Sequence, residues 1–221
     1  YYIIPKINIA MQFLKTEQKD NYTIVTLSRG KSNPMNQEMI NEFRALMDDL
    51  KTDDKVQGVI VTGQENFFSV GLDVVEVHSK DEAGLVSFWK DFNDLIIKFA
   101  TFPKPLIAAI TGHSPAGGTV LAIGCDYRVM AKGKYQIGLN EIAVGITLPK
   151  IIFDLYAFWL GQRKAYQNLM EARMMMPDEA LADGLVDEVV DDSEVLSQAE
   201  AKMKTYLSFS QASWTHSKSS T

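Results

Sequence analysis

Ile110-Thr-Gly-His-Ser-Pro-Ala-Gly-Gly-Thr-Val-Leu-Ala-Ile-Gly-Cys-Asp126 reads as the end of a buried strand, a turn of small residues and the start of an apolar helix. Ser114 suits the helix cap and Pro115 its first position, which predicts a helix over residues 115–123. Gly117 then falls in the first turn, where its N–H has no intrahelical acceptor. With the local helix dipole, such a group can stabilise an oxyanion. A lone Gly-Gly pair is weak by itself, since close helix packing would account for it. Two further loops share its character: Asn66-Phe-Phe-Ser-Val-Gly-Leu-Asp73 upstream and Ile137-Gly-Leu-Asn-Glu-Ile-Ala-Val-Gly145 downstream. Gly71 permits a sharp backbone path after which Leu72 presents a second N–H.

Outward from this stretch, strands are expected over residues 22–27, 56–62, 106–110 and 127–130, each rich in branched or aromatic side chains. Asn36 is positioned to cap a helix over 37–51, with Met39, Phe43, Leu46 and Leu50 at three- and four-residue spacing. Asp73 is positioned to cap a brief helix over 74–77. Residues 82–102 are helical in period, with Val86, Trp89, Phe92, Ile96 and Phe99 mostly on one side, and Pro103 and Pro105 end them. A helical, aromatic pattern runs over 154–170, in which Trp159 reads as a core or interface residue, and Met174 to Met176 read as packing. Pro177 opens a helix that stops at Gly184 and leads into a strand. Strand, loop and helix thus recur without a strict repeat, which favours an α/β architecture over an all-β sandwich.

With 221 residues and 46% hydrophobic content, the chain suffices for one well-packed domain and is short for two. A net charge of −6 argues against general nucleic-acid binding, which needs lysine and arginine to neutralise phosphates. Cys125 is the only cysteine, which excludes an intrachain disulfide and fits a reducing compartment. No run approaches the roughly 20 apolar residues of a membrane span, and the three histidines have no metal-ligand spacing. A cytoplasmic, soluble protein with neither metal nor membrane partner is the expectation. Residues 1–10 read as an N-terminal extension or appended segment, 11–192 as the core, and 193–221 as an incomplete helical region, with a helix near 193–207 and a serine-rich polar tail.

The three loops together resemble the crotonase (enoyl-CoA hydratase/isomerase) superfamily. Phe68-Ser-Val-Gly-Leu-Asp73 matches the family pattern of a phenylalanine, two small residues, glycine, a variable residue and aspartate, apart from the bulkier Val70. Ala116 replaces the first glycine of the frequent three-glycine form of the second motif. The resemblance spans roughly residues 22–190. It implies a spiral of repeated strand-strand-helix units with a C-terminal helical region, and an oxyanion hole formed by the Leu72 and Gly117 N–H groups. It also implies an acyl-CoA substrate, with coenzyme A as part of the substrate and no permanently bound cofactor. Assembly as a homotrimer or dimer of trimers is implied in the same way.

Hydratases of this family generally use two glutamates. The first position, three residues after Gly117, holds Val120, whose isopropyl group cannot accept a proton; the second matches Glu141. One carboxylate suffices to move a 3,4 double bond to the 2,3 position of an enoyl thioester, and the words Pro115-Ala-Gly-Gly118, Cys125-Asp-Tyr-Arg128 and Ile137-Gly-Leu-Asn-Glu141 look particularly like the mitochondrial-type 3,2-trans-enoyl-CoA isomerases. The expectation is therefore an isomerase of fatty acid metabolism with Glu141 as the catalytic base. A hydratase with altered acid/base geometry and a noncatalytic acyl-CoA-binding homologue are the alternatives. Arg29, Lys31, Val70 and Val120 are candidates for substrate contacts, although an exposed charged turn accounts equally well for Arg29 and Lys31. Asp73 reads as a helix cap, Asp126 as the organiser of the turn it sits in, and His113 as a loop or packing residue.

Overall fold

The structure, a computed structural model, describes residues 11–220, so the expected extension at 1–10 lies outside the described residues. In chain order the elements are β1 (Leu14–Gln18), β2 (Thr23–Leu27), α1 (Gln37–Thr52), β3 (Val59–Thr62), β4 (Asn66–Phe67), α2 (Val74–Ser79), α3 (Glu82–Ala100), β5 (Leu106–Ile110), β6 (Gly112–Pro115) and α4 (Gly117–Ile123). They continue with β7 (Tyr127–Ala131), β8 (Ile137–Gly138), α5 (Lys150–Leu160), α6 (Gln162–Met170), α7 (Pro177–Asp183), β9 (Glu188–Val190), α8 (Val195–Leu207) and α9 (Gln211–Ser219).

The main sheet has the order β1-β2-β3-β5-β7-β9, parallel except for the antiparallel β1–β2 pair. A second, small parallel sheet has the order β4-β6-β8. Each of β3, β5 and β7 is thus followed by a short strand of the second sheet and then by helix, which is the repeated strand-strand-helix spiral. The central strands β2, β3, β5 and β7 are buried on both faces, as parallel sheets require, whereas the edge strand β1 is mostly exposed. Val59, Val61, Leu106, Ala108 and Ile110 face one core with the α1, α3 and α4 side chains, whereas Ile60, Ile107 and Ala109 face a second core closed by Val195, Ala199 and Met203 of α8. The period of two along each strand divides one run of sequence between two cores.

Several local expectations hold. Asn36 accepts a hydrogen bond from the Met39 N–H at 3.0 Å and opens α1, and Asp73 accepts from Glu76 N–H at 3.2 Å and opens α2. Pro177 opens α7, and Asp126 holds the Leu106 N–H at 2.8 Å. Others are corrected. The helix expected at 115–123 starts at Gly117, because Ser114 and Pro115 pair with Ile137 and Gly138 in the small sheet. Ser114 is therefore a strand residue, and Ala116, with φ +50°, makes the junction without a side-chain cap.

The helix expected over 154–170 is two helices, separated at Gly161 (φ +77°, ψ 150°). Val86 is exposed rather than on the packed side of α3, and Met176 is exposed while Met175 is buried. The serine-rich tail folds into α9: Ser210 caps it, Trp214 packs 4.7 Å from the Tyr206 ring, Thr215 donates to the Pro103 carbonyl, and Lys218 pairs with Asp126 at 2.7 Å. These contacts supply what the polar composition lacks. Trp159 lies 3.6 Å from the buried Arg128 guanidinium, whose charge is balanced by Asp187 at 2.6 Å.

Candidate active site

Glu141 opens a short 3-10 turn, Glu141–Val144, closed by Gly145 in the left-handed conformation. The strand before it is bolted to α4 by Thr119, whose hydroxyl accepts from the Gly138 N–H at 2.8 Å and lies 3.0 Å from the Gly138 carbonyl. The Ala116 N–H also donates to the Gly138 carbonyl, at 2.8 Å. The glutamate and the start of α4 are therefore fixed relative to each other by backbone pairing.

The second loop meets α4 just as closely. A Cβ on Gly71, whose φ is +91°, would stand 2.8 Å from the Gly117 nitrogen, and one on Gly117 would stand 3.0 Å from the Gly71 Cα and 3.3 Å from the Leu72 nitrogen. Only glycines permit this approach. The loop is held by the 29–35 turn: Met35 N–H donates to the Gly71 carbonyl at 2.8 Å, and Asp73 N–H donates to the Met35 carbonyl at 2.9 Å. Asn33 donates to the Phe68 carbonyl at 2.9 Å, and Ser69 donates to the Asn33 carbonyl at 2.7 Å while accepting the Gly71 N–H. Among the described residues, no protein group accepts from the Leu72 or the Gly117 N–H.

These parts converge on a cavity of about 150 Å³ lined by Leu72, Ala116, Gly117, Asn140 and Glu141, with apolar walls that include Val70, Trp89, Phe92 and Leu148. Among its described lining residues Glu141 is the sole ionisable side chain. It is only 6% exposed, and its Oε2 is buried without a hydrogen-bond partner. Burial pushes its carboxyl up to about 7, although the Glu141 and Asn140 N–H groups act in the opposite direction. That places the proton equilibrium near neutrality, as a base that must both take and return a proton requires.

Of the other candidates, Val70 lines the cavity, whereas Val120 is buried in the main core and is not among the lining residues. Arg29 turns inward, to Asp73 at 2.8 Å and the Pro34 carbonyl at 2.8 Å, and Lys31 is exposed. His113 packs between Phe67 and Tyr135. The loop clamps Asn33, Ser69 and Thr119 escaped the sequence reading, since their work is backbone pairing across distant segments. Trp89 had a signal, its helical spacing, but that signal reads equally as core.

A larger cavity of about 860 Å³ lies between α9 and the ends of α3, α4 and α5, and none of Leu72, Gly117 and Glu141 lines it. Among the described residues no cluster of three or more His, Cys, Asp or Glu is arranged to hold a metal, and no helix is long and apolar enough to cross a membrane.

Comparison with known proteins gives the same picture. The family model described as enoyl-CoA hydratase/isomerase matches residues 17–221. Mitochondrial enoyl-CoA delta isomerase 1 of Mus musculus is 37% identical over 196 residues, covering 88% of this chain and 68% of that protein. A short-chain-enoyl-CoA hydratase of Clostridium acetobutylicum is 30% identical over 186 residues, covering 83% of this chain and 71% of that protein. The crystal structure of the human mitochondrial delta3-delta2-enoyl-CoA isomerase superimposes with a TM-score of 0.91 at 29% identity, covering 94% of this chain and 82% of that one. With its motifs, its spiral topology and a family match over nearly the whole chain, the protein belongs to the enoyl-CoA hydratase/isomerase family.

Proposed function

We propose that this chain is a 3,2-trans-enoyl-CoA isomerase in which Glu141 moves one proton between two carbons of the substrate. The observation that carries this reading is a cavity whose sole ionisable lining side chain, among the described residues, is a buried carboxylate with an unpaired oxygen. Glu141 removes a proton from C2, and the C–H electron pair forms the C1–C2 double bond as the thioester oxygen becomes negative. The Leu72 and Gly117 N–H groups donate to that oxygen. Each such donor is worth about 2.7–4 kcal/mol in comparable sites. The oxygen then reforms the carbonyl, the C1–C2 pair moves to C2–C3, and the former C3–C4 pair takes the proton back from Glu141 at C4. Atoms and charge balance without water.

Apolar walls favour this outcome, since they raise the basicity of the carboxylate and leave no second acid to position water for addition. Hydration would ask for a second carboxylate, and the corresponding position in α4 holds the buried Val120. Glu141→Gln is expected to lower isomerisation by roughly 10²–10⁴-fold while acyl-CoA binding is retained. A folded variant with wild-type turnover would remove Glu141 from the mechanism.

A further inference from the structure

Leu72 is paired with Met35 in an isolated parallel bridge, made by the Met35 N–H on the Gly71 carbonyl at 2.8 Å and the Asp73 N–H on the Met35 carbonyl at 2.9 Å. Two hydrogen bonds set the spacing of these segments but hold the peptide planes between them only weakly. The residues just outside the bridge are Pro34, before Met35, and Asp73, after Leu72. One side chain ties them together. Arg29 donates from one guanidinium nitrogen to the Pro34 carbonyl at 2.8 Å and from another to Asp73 Oδ2 at 2.8 Å.

The guanidinium is itself held. The Arg29 N–H donates to Asn33 Oδ1 at 2.9 Å and the Asn33 N–H to the Arg29 carbonyl at 3.0 Å, so the side chain springs from a closed turn. Its guanidinium carbon lies 5.5 Å from the centre of the Phe13 ring. Asp73 divides its carboxylate between two elements: Oδ1 accepts the Glu76 N–H at 3.2 Å and caps α2, while Oδ2 takes Arg29. Burial alone would raise this carboxyl, yet the Glu76 N–H and the Arg29 guanidinium outweigh it and hold the group below its ordinary range. A planar fork with donors in fixed directions suits a link between a carbonyl and a carboxylate, and a lysine ammonium lacks that geometry.

We propose that Arg29 is a positioning residue of the oxyanion hole: by joining the Pro34 carbonyl to the Asp73 carboxylate, it fixes the peptide plane from which the Leu72 N–H projects. The inference rests on the assignment of Leu72 and Gly117 as donors to the thioester oxygen, and it adds what keeps the first of them aimed. Gly117 begins α4, and the Ala116 N–H before it is bound to the Gly138 carbonyl at 2.8 Å. Leu72 lies on a loop and depends on the clamp. A hydrogen bond weakens steeply as it bends, and the oxyanion asks more of its donors than the ground-state carbonyl does, so a released loop lowers turnover more than binding.

The test uses the whole protein with Arg29→Met, which keeps an apolar stem near Phe13 without a donor, and Arg29→Lys, which keeps the charge and loses the fork. Isotope-edited infrared spectra of bound octanoyl-CoA read the thioester carbonyl stretch, which falls in frequency as hydrogen bonds to its oxygen strengthen. Turnover of trans-3-octenoyl-CoA and equilibrium binding of octanoyl-CoA are measured alongside. The wild-type band is expected below that of the free thioester. Arg29→Met should return it toward the free value and lower kcat by roughly 10²-fold, while the dissociation constant of octanoyl-CoA changes much less. Arg29→Lys should fall between, and it decides alone if Arg29→Met does not fold. A band equally shifted in wild type and the folded variants overturns the proposal. So does a loss confined to octanoyl-CoA affinity, which would make Arg29 a substrate contact. A wild-type band at the free-thioester frequency removes the oxyanion donors themselves, and the proposal with them. A band that responds to Arg29 in a protein that isomerises no 3-enoyl thioester upholds the clamp and rejects the isomerase reading instead.

Discussion

Glu141 sits where the fold opposes its charge, and that opposition should be measurable as stability. A carboxyl raised from 4.5 to about 7 means that the folded state binds the proton more tightly than the unfolded chain does. Its contribution is therefore fully favourable at low pH and is lost as pH rises from 4.5 to about 7. Glu141→Gln does not titrate, so its stability relative to wild type should increase across that window and level off above it, by on the order of 3 kcal/mol. Denaturant unfolding of both proteins between pH 4.5 and 8 checks this, and a difference independent of pH would show that the carboxyl is not destabilised by burial. This glutamate was legible in the sequence only through its motif. An acid in a loop reads equally as a solvated surface charge, and only the folded chain supplies the burial that raises its carboxyl.

At the scale of elements, the junction between β6 and α4 carries the clearest divergence between local and long-range signals. Ser114-Pro115 is a sound helix start by local chemistry, yet pairing with Ile137 and Gly138 extends the strand and delays the helix to Gly117. The cost falls on Ala116, a residue with a Cβ at φ +50° and ψ −122°. Such conformations cost on the order of 1–3 kcal/mol for residues other than glycine. Ala116→Gly is therefore expected to raise unfolding free energy by about 1 kcal/mol, less the greater chain entropy of glycine. Equilibrium denaturation reads this directly, and a clear loss of stability would contradict the strain assigned to Ala116. Caps set by side chains, such as Asn36 and Asp73, were readable because their partners lie three residues away. The short strands β4, β6 and β8 were not, because two to four residues acquire their strand character from neighbours tens of positions distant.

For the whole molecule, the alternation of strand, loop and helix was enough to indicate an α/β fold, and the motifs were enough to indicate the spiral. The order of the main sheet and the second core under α8 depend on which face each strand residue presents, information carried by pairing register rather than composition. The same register brings the loop after β4, the start of α4 and the turn after β8 to one cavity, lined by Leu72, Gly117 and Glu141. Separate incubation of the unmodified protein with 3-enoyl-CoA and with 2-enoyl-CoA, with each product identified, tests this arrangement most directly. The account predicts conversion of the 3-enoyl to the 2-enoyl thioester much faster than addition of water to the latter; efficient hydration of 2-enoyl-CoA, with no isomerisation of 3-enoyl substrates of short, medium or long chain, would contradict it.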